Sequence, residues 1–404
     1  MLAVAEAQAR VQGAFGPTPL EWVTLERALG RVLACDLCAR RDQPPVAVSA
    51  MDGYAVRAAD TADGTERLRL VGEVAAGGAA APAVGPGEAV RIFTGGALPA
   101  GADAILIQEN AEAGDGLVRC LAATEPGRFV RPAGLDFARG WRGLEAGRTL
   151  DPLALGLAAA MGHLWLPVRR QPRIGLLATG DELVWPGETP GPHAIVSSNS
   201  TVLAGLVAAW GGEPVDLGIA RDDAASLAAA LDQVRGLDAL VTTGGASVGD
   251  HDLVREALGG RGLELDFWQI AMRPGKPLIF GRLGAVPVLG LPGNPVSTAV
   301  CAIVFLRGAL RRALGRDPAL PLSEARLAAP LAPNDHRQDH LRARLLPGDG
   351  GPPRVLPAGR QDSSMFATLA LADALLVRPP HDPALAEGHP VRIIGLAEVL
   401  RRDL

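Results

Sequence analysis

Ala239-Leu240-Val241-Thr242-Thr243-Gly244-Gly245-Ala246-Ser247-Val248-Gly249-Asp250-His251-Asp252 is the stretch on which the fold turns. An apolar, β-branched run passes directly into glycines, hydroxyls and carboxylates, without the spacing of a helical face. It reads as a buried strand whose end opens into a loop able to face a ligand. The texture recurs in Ala178-Thr179-Gly180-Asp181-Glu182, after an apolar run from Ile174. It recurs again in Leu289-Gly290-Leu291-Pro292-Gly293-Asn294-Pro295, after a run from Val286. Working outward, strands over 174–178, 214–219, 239–242, 265–270, 278–280 and 286–289 alternate with helices over 200–210, 224–234, 252–258 and 295–314. That alternation predicts a doubly wound, mostly parallel α/β sheet, with ligands at the carboxyl ends of its strands.

The flanks have a different texture. Between 44 and 137, short strands over 67–74, 89–93, 104–108 and 117–121 sit among Gly/Pro turns and predict a small β-rich domain. Residues 2–15 carry Val4, Val11 and Phe15 on one helical stripe. A second helix is expected over 151–161, with Pro152 in its first turn. Beyond Pro318, strands over 325–328, 341–345, 374–377 and 391–394 predict a C-terminal β domain. At roughly 150 residues per domain, the length of 404 residues allows two to four domains.

Hydrophobic residues make up 48% of the chain and aromatic ones 4%, so its cores are built from Ala, Val and Leu. A net charge of −5 argues against binding a nucleic-acid backbone. No apolar run reaches the ~20 residues of a membrane span. Glu6 and Arg10 interrupt the first apolar stretch, unlike a secretory signal. A cytoplasmic protein is expected. Cys35-x-x-Cys38 lacks a second ligand pair at zinc spacing, so Cys35, Cys38, Cys120 and Cys301 read as thiols. Lys276 is the only lysine among 39 basic residues, and Tyr54 is the only tyrosine. Both fall in glycine-rich stretches that read as loops. A lone ammonium among arginines suggests a site needing a compact point charge.

The three strand-end loops should meet on one rim. Thr-Gly-Gly lets backbone N–H groups approach phosphate oxygens, and Asn294-Pro295 places a capping side chain and an N1 proline at a helix start. Asp181, Glu182, Asp250 and Asp252 add hard oxygen ligands beside that anion site, which implies Mg²⁺. Gly245-Ala246-Ser247-Val248-Gly249 also fits the nucleophile elbow of α/β-hydrolases, with Asp266 and His336 or His340 following in order. The loosened turn before Ser247 and the crowd of carboxylates speak against that rival. Walker-type phosphate binding is excluded, because Lys276 lies between Pro-Gly and Pro. His336 and His340 are expected in a surface loop, and His251 beside the acidic loop.

Six motifs in order then resemble a known family: Met51-Asp52-Gly53-Tyr54-Ala55-Val56, Thr94-Gly95-Gly96-Ala97-Leu98-Pro99, Thr179-Gly180-Asp181-Glu182-Leu183, Gly244-Gly245-Ala246-Ser247-Val248-Gly249-Asp250, Pro274-Gly275-Lys276-Pro277 and Leu291-Pro292-Gly293-Asn294-Pro295-Val296-Ser297. The chain looks like a molybdopterin molybdotransferase of the MoeA type, the family that includes the gephyrin E domain. The resemblance spans about 3 to 395. It implies an elongated N-terminal domain (1–43 and 139–170), an inserted β domain (44–138), a molybdopterin-binding α/β domain (171–318) and a C-terminal β barrel (319–404). It also implies a homodimer whose site lies between the α/β domain of one protomer and the inserted domain of the other. The implied partners are small-molecule substrates and other molybdenum-cofactor biosynthesis proteins, with neither nucleic acid nor membrane.

The implied reaction inserts molybdenum from molybdate into adenylylated molybdopterin and releases AMP, with Mg²⁺ assisting. By motif, Asp52, Thr94, Asp136, Glu182, Asp222 and Asp252 line the site, with Glu182, Asp222 and Asp252 toward the metal. Thr243, Gly244, Gly245, Ser247 and Asn294 would hold phosphates. Arg273, Lys276, Pro277, Ser297, Arg342 and Ser363 would form the molybdate pocket. Arg273 stands where Lys is common, and His340 replaces an aromatic often seen beside Arg342. Tungstate remains an alternative to molybdate. Two other classes resemble parts of the pattern. One is a non-catalytic scaffold, as the gephyrin comparison suggests. The other is a molybdopterin adenylyltransferase, which matches the α/β segment but lacks the Met-Asp-Gly-Tyr domain and the barrel.

Overall fold

A computed structural model describes residues 1–78, 82–244, 259, 260, 262–347 and 351–401. The chain divides into two compact units. One comprises Met1–Cys35, Ala146–Asp151 and Pro167–Leu404; the other comprises Asp36–Glu145 and Pro152–Leu166.

The first unit is organised by a six-stranded sheet. Its spatial order is Glu213–Ala220, Arg173–Thr179, Ala239–Thr243, Val286–Leu291, Pro277–Leu283 and Leu263–Gln269. The first four strands run parallel, and the last two form an antiparallel edge. Arg173–Thr179 and Ala239–Thr243 are buried along almost their whole length, as strands covered on both faces must be. Helix Ser198–Ala209 and the helical run from Pro295 to Ala313 share one core with this sheet, which Val4, Val11 and Phe15 join. That run contains a π-helical stretch, Ala302–Leu306. Helix Ala224–Leu231 packs in a second core with Leu177, Leu217 and Leu240. The expected helix over 252–258 lies outside the described residues.

The same unit ends in a closed five-stranded barrel. Gln338–Leu346, Arg354–Pro357, Leu322–Leu327, Pro390–Gly395 and Ala374–Arg378 follow one another, and Ala374–Arg378 pairs back onto Gln338–Leu346. Closure leaves these strands without a free edge. Met272–Arg273 joins the barrel by pairing in parallel with Gln338 and Asp339. His340 corrects the sequence reading. It lies within strand Gln338–Leu346 and is only 1% exposed, because the strand begins earlier than its prolines and polar residues suggested. His336 does stand in the preceding exposed loop.

The second unit holds another six-stranded sheet, in the order Ala104–Ile107, Gly53–Val56, Glu88–Ile92, Arg67–Val74, Leu117–Cys120 and Ala111–Gly114. Gly53–Val56 was expected to be a loop. It is instead a fully buried central strand. Its close packing explains the glycine, since a Cβ at Gly53 would overlap the Leu106 carbonyl oxygen. Tyr54 is accordingly a core residue, with the Arg91 guanidinium 5.0 Å above its ring.

Candidate active site

The four parallel strands end on one edge of the first sheet. Register pairs Thr179 with Ala220, Ala178 with Thr243, and Thr243 with Leu291. The loops starting at Gly180, Arg221, Gly244 and Pro292 therefore leave the sheet side by side. Three of them were visible as strand-end loops. The fourth, after Ala220, carries Asp222, which the sequence pointed to only through its family motif.

The main chain ties these loops together. Gly180 N–H donates to Ala220 O (3.2 Å), and Asp222 N–H donates to Asp181 Oδ1 (3.2 Å). Asp223 caps helix Ala224–Leu231 by accepting from Ser226 N–H (2.7 Å), and Ser226 Oγ accepts from Arg221 N–H (2.9 Å). Burial first, then the charges of Asp181 and Glu182, hold the Asp222 carboxyl above the ordinary carboxylate range. Among the described residues, no group of three or more carboxylates, histidines or cysteines is arranged as a ready-made metal cage. The crowding nevertheless suits a hydrated divalent cation, which takes one or two carboxylates and completes its shell with water and phosphate. Asp252, Gly245, Ser247 and His251 lie outside the described residues, as does the serine elbow of the hydrolase reading. Of the proposed relay partners, Asp266 pairs with Arg10 (2.6 Å), and His340 is buried in the barrel.

Gly244 has φ +91°, and a Cβ there would overlap Thr179 O. Only glycine can bring the strand end this close to its neighbour. Thr243 is buried, and its carbonyl accepts from Thr179 Oγ1 (3.4 Å). Pro295 takes the first helical position, as expected. Asn294 stands at the N-cap, but its side chain makes no capping bond; it donates to Ser363 Oγ instead (2.8 Å). Thr298 Oγ1 braces the turn by donating to Pro292 O (2.5 Å). Asn199, which sequence reasoning passed over, donates to Gly293 O (2.8 Å).

Lys276 is exposed and pairs with no carboxylate among the described residues. Its carbonyl accepts from Ile270 N–H (3.1 Å). Gly275 before it has φ +111° and lies against Cys301, where a Cβ would overlap the sulfur. Pro277 then opens the next strand.

The second unit carries a different arrangement. Asp52 Oδ1 accepts both Thr94 N–H (2.7 Å) and Thr94 Oγ1–H (2.8 Å). These bonds, with a smaller contribution from the charge of Arg91, hold the Asp52 carboxyl below its ordinary range. Arg91 itself donates to Gly53 O (3.3 Å) and Gln108 Oε1 (2.9 Å). Tyr54 thus supports the strand that presents Asp52. Asp136 is exposed, and its N–H donates to Gln43 O (2.9 Å).

Three family descriptions match in succession: the MoeA N-terminal region (domain I and II) over 2–162, a probable molybdopterin binding domain over 175–312, and the MoeA C-terminal region (domain IV) over 324–396. Molybdopterin molybdenumtransferase 2 of Mycobacterium tuberculosis is 37% identical over 386 residues, covering 93% of this chain and 94% of the relative. The chain belongs to the MoeA family. Molybdopterin molybdenumtransferase of a Nostoc species is 33% identical over 388 residues, covering 93% of this chain and 88% of that one. A crystal structure of the molybdopterin biosynthesis MoeA protein from Pyrococcus horikosii superposes with a TM-score of 0.88 at 32% identity, covering 98% and 99% of the two chains.

Within this MoeA fold, the residues expected to form one oxyanion pocket divide. Arg273 is engaged by the barrel. Its Nε donates to Asp339 Oδ1 (2.9 Å), a second fork bond reaches Asp339 Oδ2, and Nη1 lies 3.4 Å from Asp335. The parallel register sets Arg273 opposite Asp339. Arg342 is fully buried and donates to main-chain carbonyls. Ser297 is buried in the first turn after Pro295, and Ser363 is half-buried beside Asn294. Among the described residues, Lys276 is the member of the set that combines exposure with a charge paired to no carboxylate.

Proposed function

We propose that this chain is a molybdopterin molybdotransferase acting in molybdenum cofactor biosynthesis. Its substrates are molybdate and adenylylated molybdopterin, and its products are molybdenum-loaded cofactor and AMP. The observation that carries the reading is the rim itself. A carboxylate cluster with a raised Asp222 pKa lies beside a glycine-opened strand end and the Asn294 turn. The first feature suits a hydrated cation and the second an anionic phosphate ester. The family relationship supplies the chemistry that needs both.

In this reading Glu182, Asp222 and Asp252 would hold Mg²⁺. Bound there, Mg²⁺ would offset charge on the pyrophosphate while its P–O bond is broken. Thr243, Gly244, Gly245, Ser247 and Asn294 hold the phosphate and pterin groups in place. Lys276, with Pro277, Ser297 and Ser363, receives molybdate, a tetrahedral dianion that suits an ammonium flanked by hydroxyl donors. No side chain serves as a covalent nucleophile; positioning and charge do the work.

The reading includes a homodimer, in which Asp52, Thr94 and Asp136 of one protomer complete the rim of the other. It includes the four-domain division at 1–43 with 139–170, 44–138, 171–318 and 319–404. It also places the enzyme in the cytoplasm, beside other cofactor-biosynthesis proteins. Among the described residues, no helix is long and apolar enough to cross a membrane.

The test is incubation of purified protein with adenylylated molybdopterin, molybdate and Mg²⁺, following AMP and active cofactor together. Stoichiometric appearance of both is expected. AMP without active cofactor, or neither product, would refute the transferase reading.

A further inference from the structure

We propose that Arg91 is a positioning residue for Asp52: held against the Tyr54 and Phe93 rings, its guanidinium fixes the main chain that carries that carboxylate. The inference rests on Asp52 serving the transferase reaction, and it gives Arg91 and the chain's only tyrosine a task in that reaction.

Strand register brings these groups together. Tyr54 and Arg91 stand opposite each other in the antiparallel strands Gly53–Val56 and Glu88–Ile92, so their side chains share one face of the sheet. Phe93, two residues after Arg91, continues that face. The Arg91 guanidinium carbon lies 5.0 Å from the Tyr54 ring centre and 4.9 Å from that of Phe93. Both rings attract the cation and limit where its stem can turn. Tyr54 is buried, and Phe93 and Arg91 are half-buried, so these contacts are partly shielded from water.

From that seat the guanidinium reaches across three strands. Nη1 donates to Gly53 O (3.3 Å) in the central strand. Nη2 donates to Gln108 Oε1 (2.9 Å), just beyond the strand Ala104–Ile107 that pairs on the far side. Gln108 N–H in turn donates to Asp52 O (3.1 Å). Arg91 therefore holds the carbonyl after Asp52 directly, and the carbonyl of Asp52 through Gln108. With both carbonyls fixed, the direction of the Asp52 side chain is fixed too. Thr94 takes up Oδ1 with two hydrogen bonds; among the described residues Oδ2 has no such partner and is the oxygen left for a ligand. The Thr94 bonds, and after them the Arg91 charge, hold the carboxyl below its ordinary range.

A planar fork suits this task. It gives separate N–H groups to two acceptors while its faces stay against the rings, and an ammonium has no such plane. A cation that binds a phosphate ester needs its donors free, whereas both Arg91 Nη atoms are engaged by the protein.

The test uses full-length Arg91→Met and Arg91→Lys. Methionine keeps an unbranched stem against the rings and loses both bonds and the charge; lysine keeps the charge and loses the fork. The readouts are hydrogen exchange of the segments 50–54 and 106–109, and steady-state release of AMP with each substrate varied. For Arg91→Met, exchange should rise about fivefold in both segments. The kcat should fall about tenfold, while the KM values for adenylylated molybdopterin and for molybdate stay within about twofold. Arg91→Lys should fall between Arg91→Met and the wild type in both readouts. Unchanged exchange at 50–54 in Arg91→Met would overturn the proposal. So would a tenfold rise in the KM for either substrate with kcat kept, which would make Arg91 a substrate contact. If the wild-type protein has no transferase activity, the functional reading fails, while the exchange arm still decides whether Arg91 holds the Asp52 segment. If Arg91→Met does not fold, Gln108→Ala decides by the same criteria, since it cuts the link from the other end and leaves the Gln108 N–H in place.

Discussion

Two aspartates in the two units of this protein respond to their surroundings in opposite ways. Asp52, in the second unit, accepts two hydrogen bonds from Thr94, and its carboxyl is held below the ordinary range. Asp222, in the first, is partly desolvated beside Asp181 and Glu182, and its carboxyl is held above that range. One is a satisfied acceptor; the other carries excess negative charge that a cation would relieve. The difference separates a carboxylate whose charge its own loop satisfies from one that burial and neighbouring carboxylates crowd.

The largest effect expected lies outside both. Lys276→Ala should cut molybdate-dependent cofactor formation by about a hundredfold or more, the scale seen when an oxyanion donor is removed. Binding of adenylylated molybdopterin should change little. Titration calorimetry with that substrate, alongside the cofactor assay, checks both; equal loss of the two would take Lys276 out of the oxyanion site.

The second effect concerns the glycine on which each unit depends. Gly53→Ala and Gly244→Ala both drive a Cβ into a neighbouring carbonyl oxygen, and each should cost about 1–3 kcal/mol in urea unfolding. Gly53→Ala should act chiefly on stability, and on turnover only through the Asp52 beside it, with molybdopterin binding close to that of the wild type. Gly244→Ala should also weaken molybdopterin binding, since it deforms the rim. Equal effects of the two variants on binding would erase the distinction between the units.

The third prediction tests the contrast directly. Asp222→Asn should raise the Mg²⁺ concentration for half-maximal AMP release about tenfold. It should leave stability unchanged or higher by a few tenths of a kcal/mol, because the repulsion it removes is largely solvent-screened. Asp52→Asn should lower the thermal midpoint, because an amide oxygen is a weaker acceptor for Thr94. Its Mg²⁺ dependence should match that of the wild type. Only Asp222→Asn should therefore shift the Mg²⁺ titration, and only Asp52→Asn should lower the melting curve.

The last effect belongs to the barrel and is confined to acid pH. Burial pushes the His340 imidazole down to about 4. Its folded-state pKa is depressed, so the unfolded chain takes up the proton first. The neutral ring's contribution is complete above about pH 6.5 and is lost as pH falls toward about 4. The slope is at most about 1.4 kcal/mol per pH unit. His340→Phe should flatten this acid limb in denaturant melts at pH 4–7. It also removes a buried Nδ1 that has no hydrogen-bond partner among the described residues.

Much of this was legible in the chain alone. The alternation of apolar runs with amphipathic segments was enough for the α/β sheet, because a parallel strand covered on both faces has to be continuously apolar. The helical run from Pro295 was visible for a similar reason, with a fixed-φ residue at its start. The strand Gly53–Val56 was hidden, because four residues beginning with glycine look like a turn until Leu106 is seen pressed against them. Arg354–Pro357 was hidden by the same brevity, and its place comes from barrel closure.

For the site, sequence identified the residue types and their motifs. Loops at strand ends announce themselves by glycines and carboxylates that no packed element would keep. Their charge state was beyond reach. Arg273, Lys276 and Arg342 are three cations with similar motif credentials. Only tertiary contacts distinguish the one matched to Asp339, the one bound to three carbonyls and the one left exposed. Those partners lie 66 or so residues away for Arg273 and 18 to 20 for Arg342. Which acceptor a guanidinium meets depends on strand register and barrel closure, and neither is a local property of the chain.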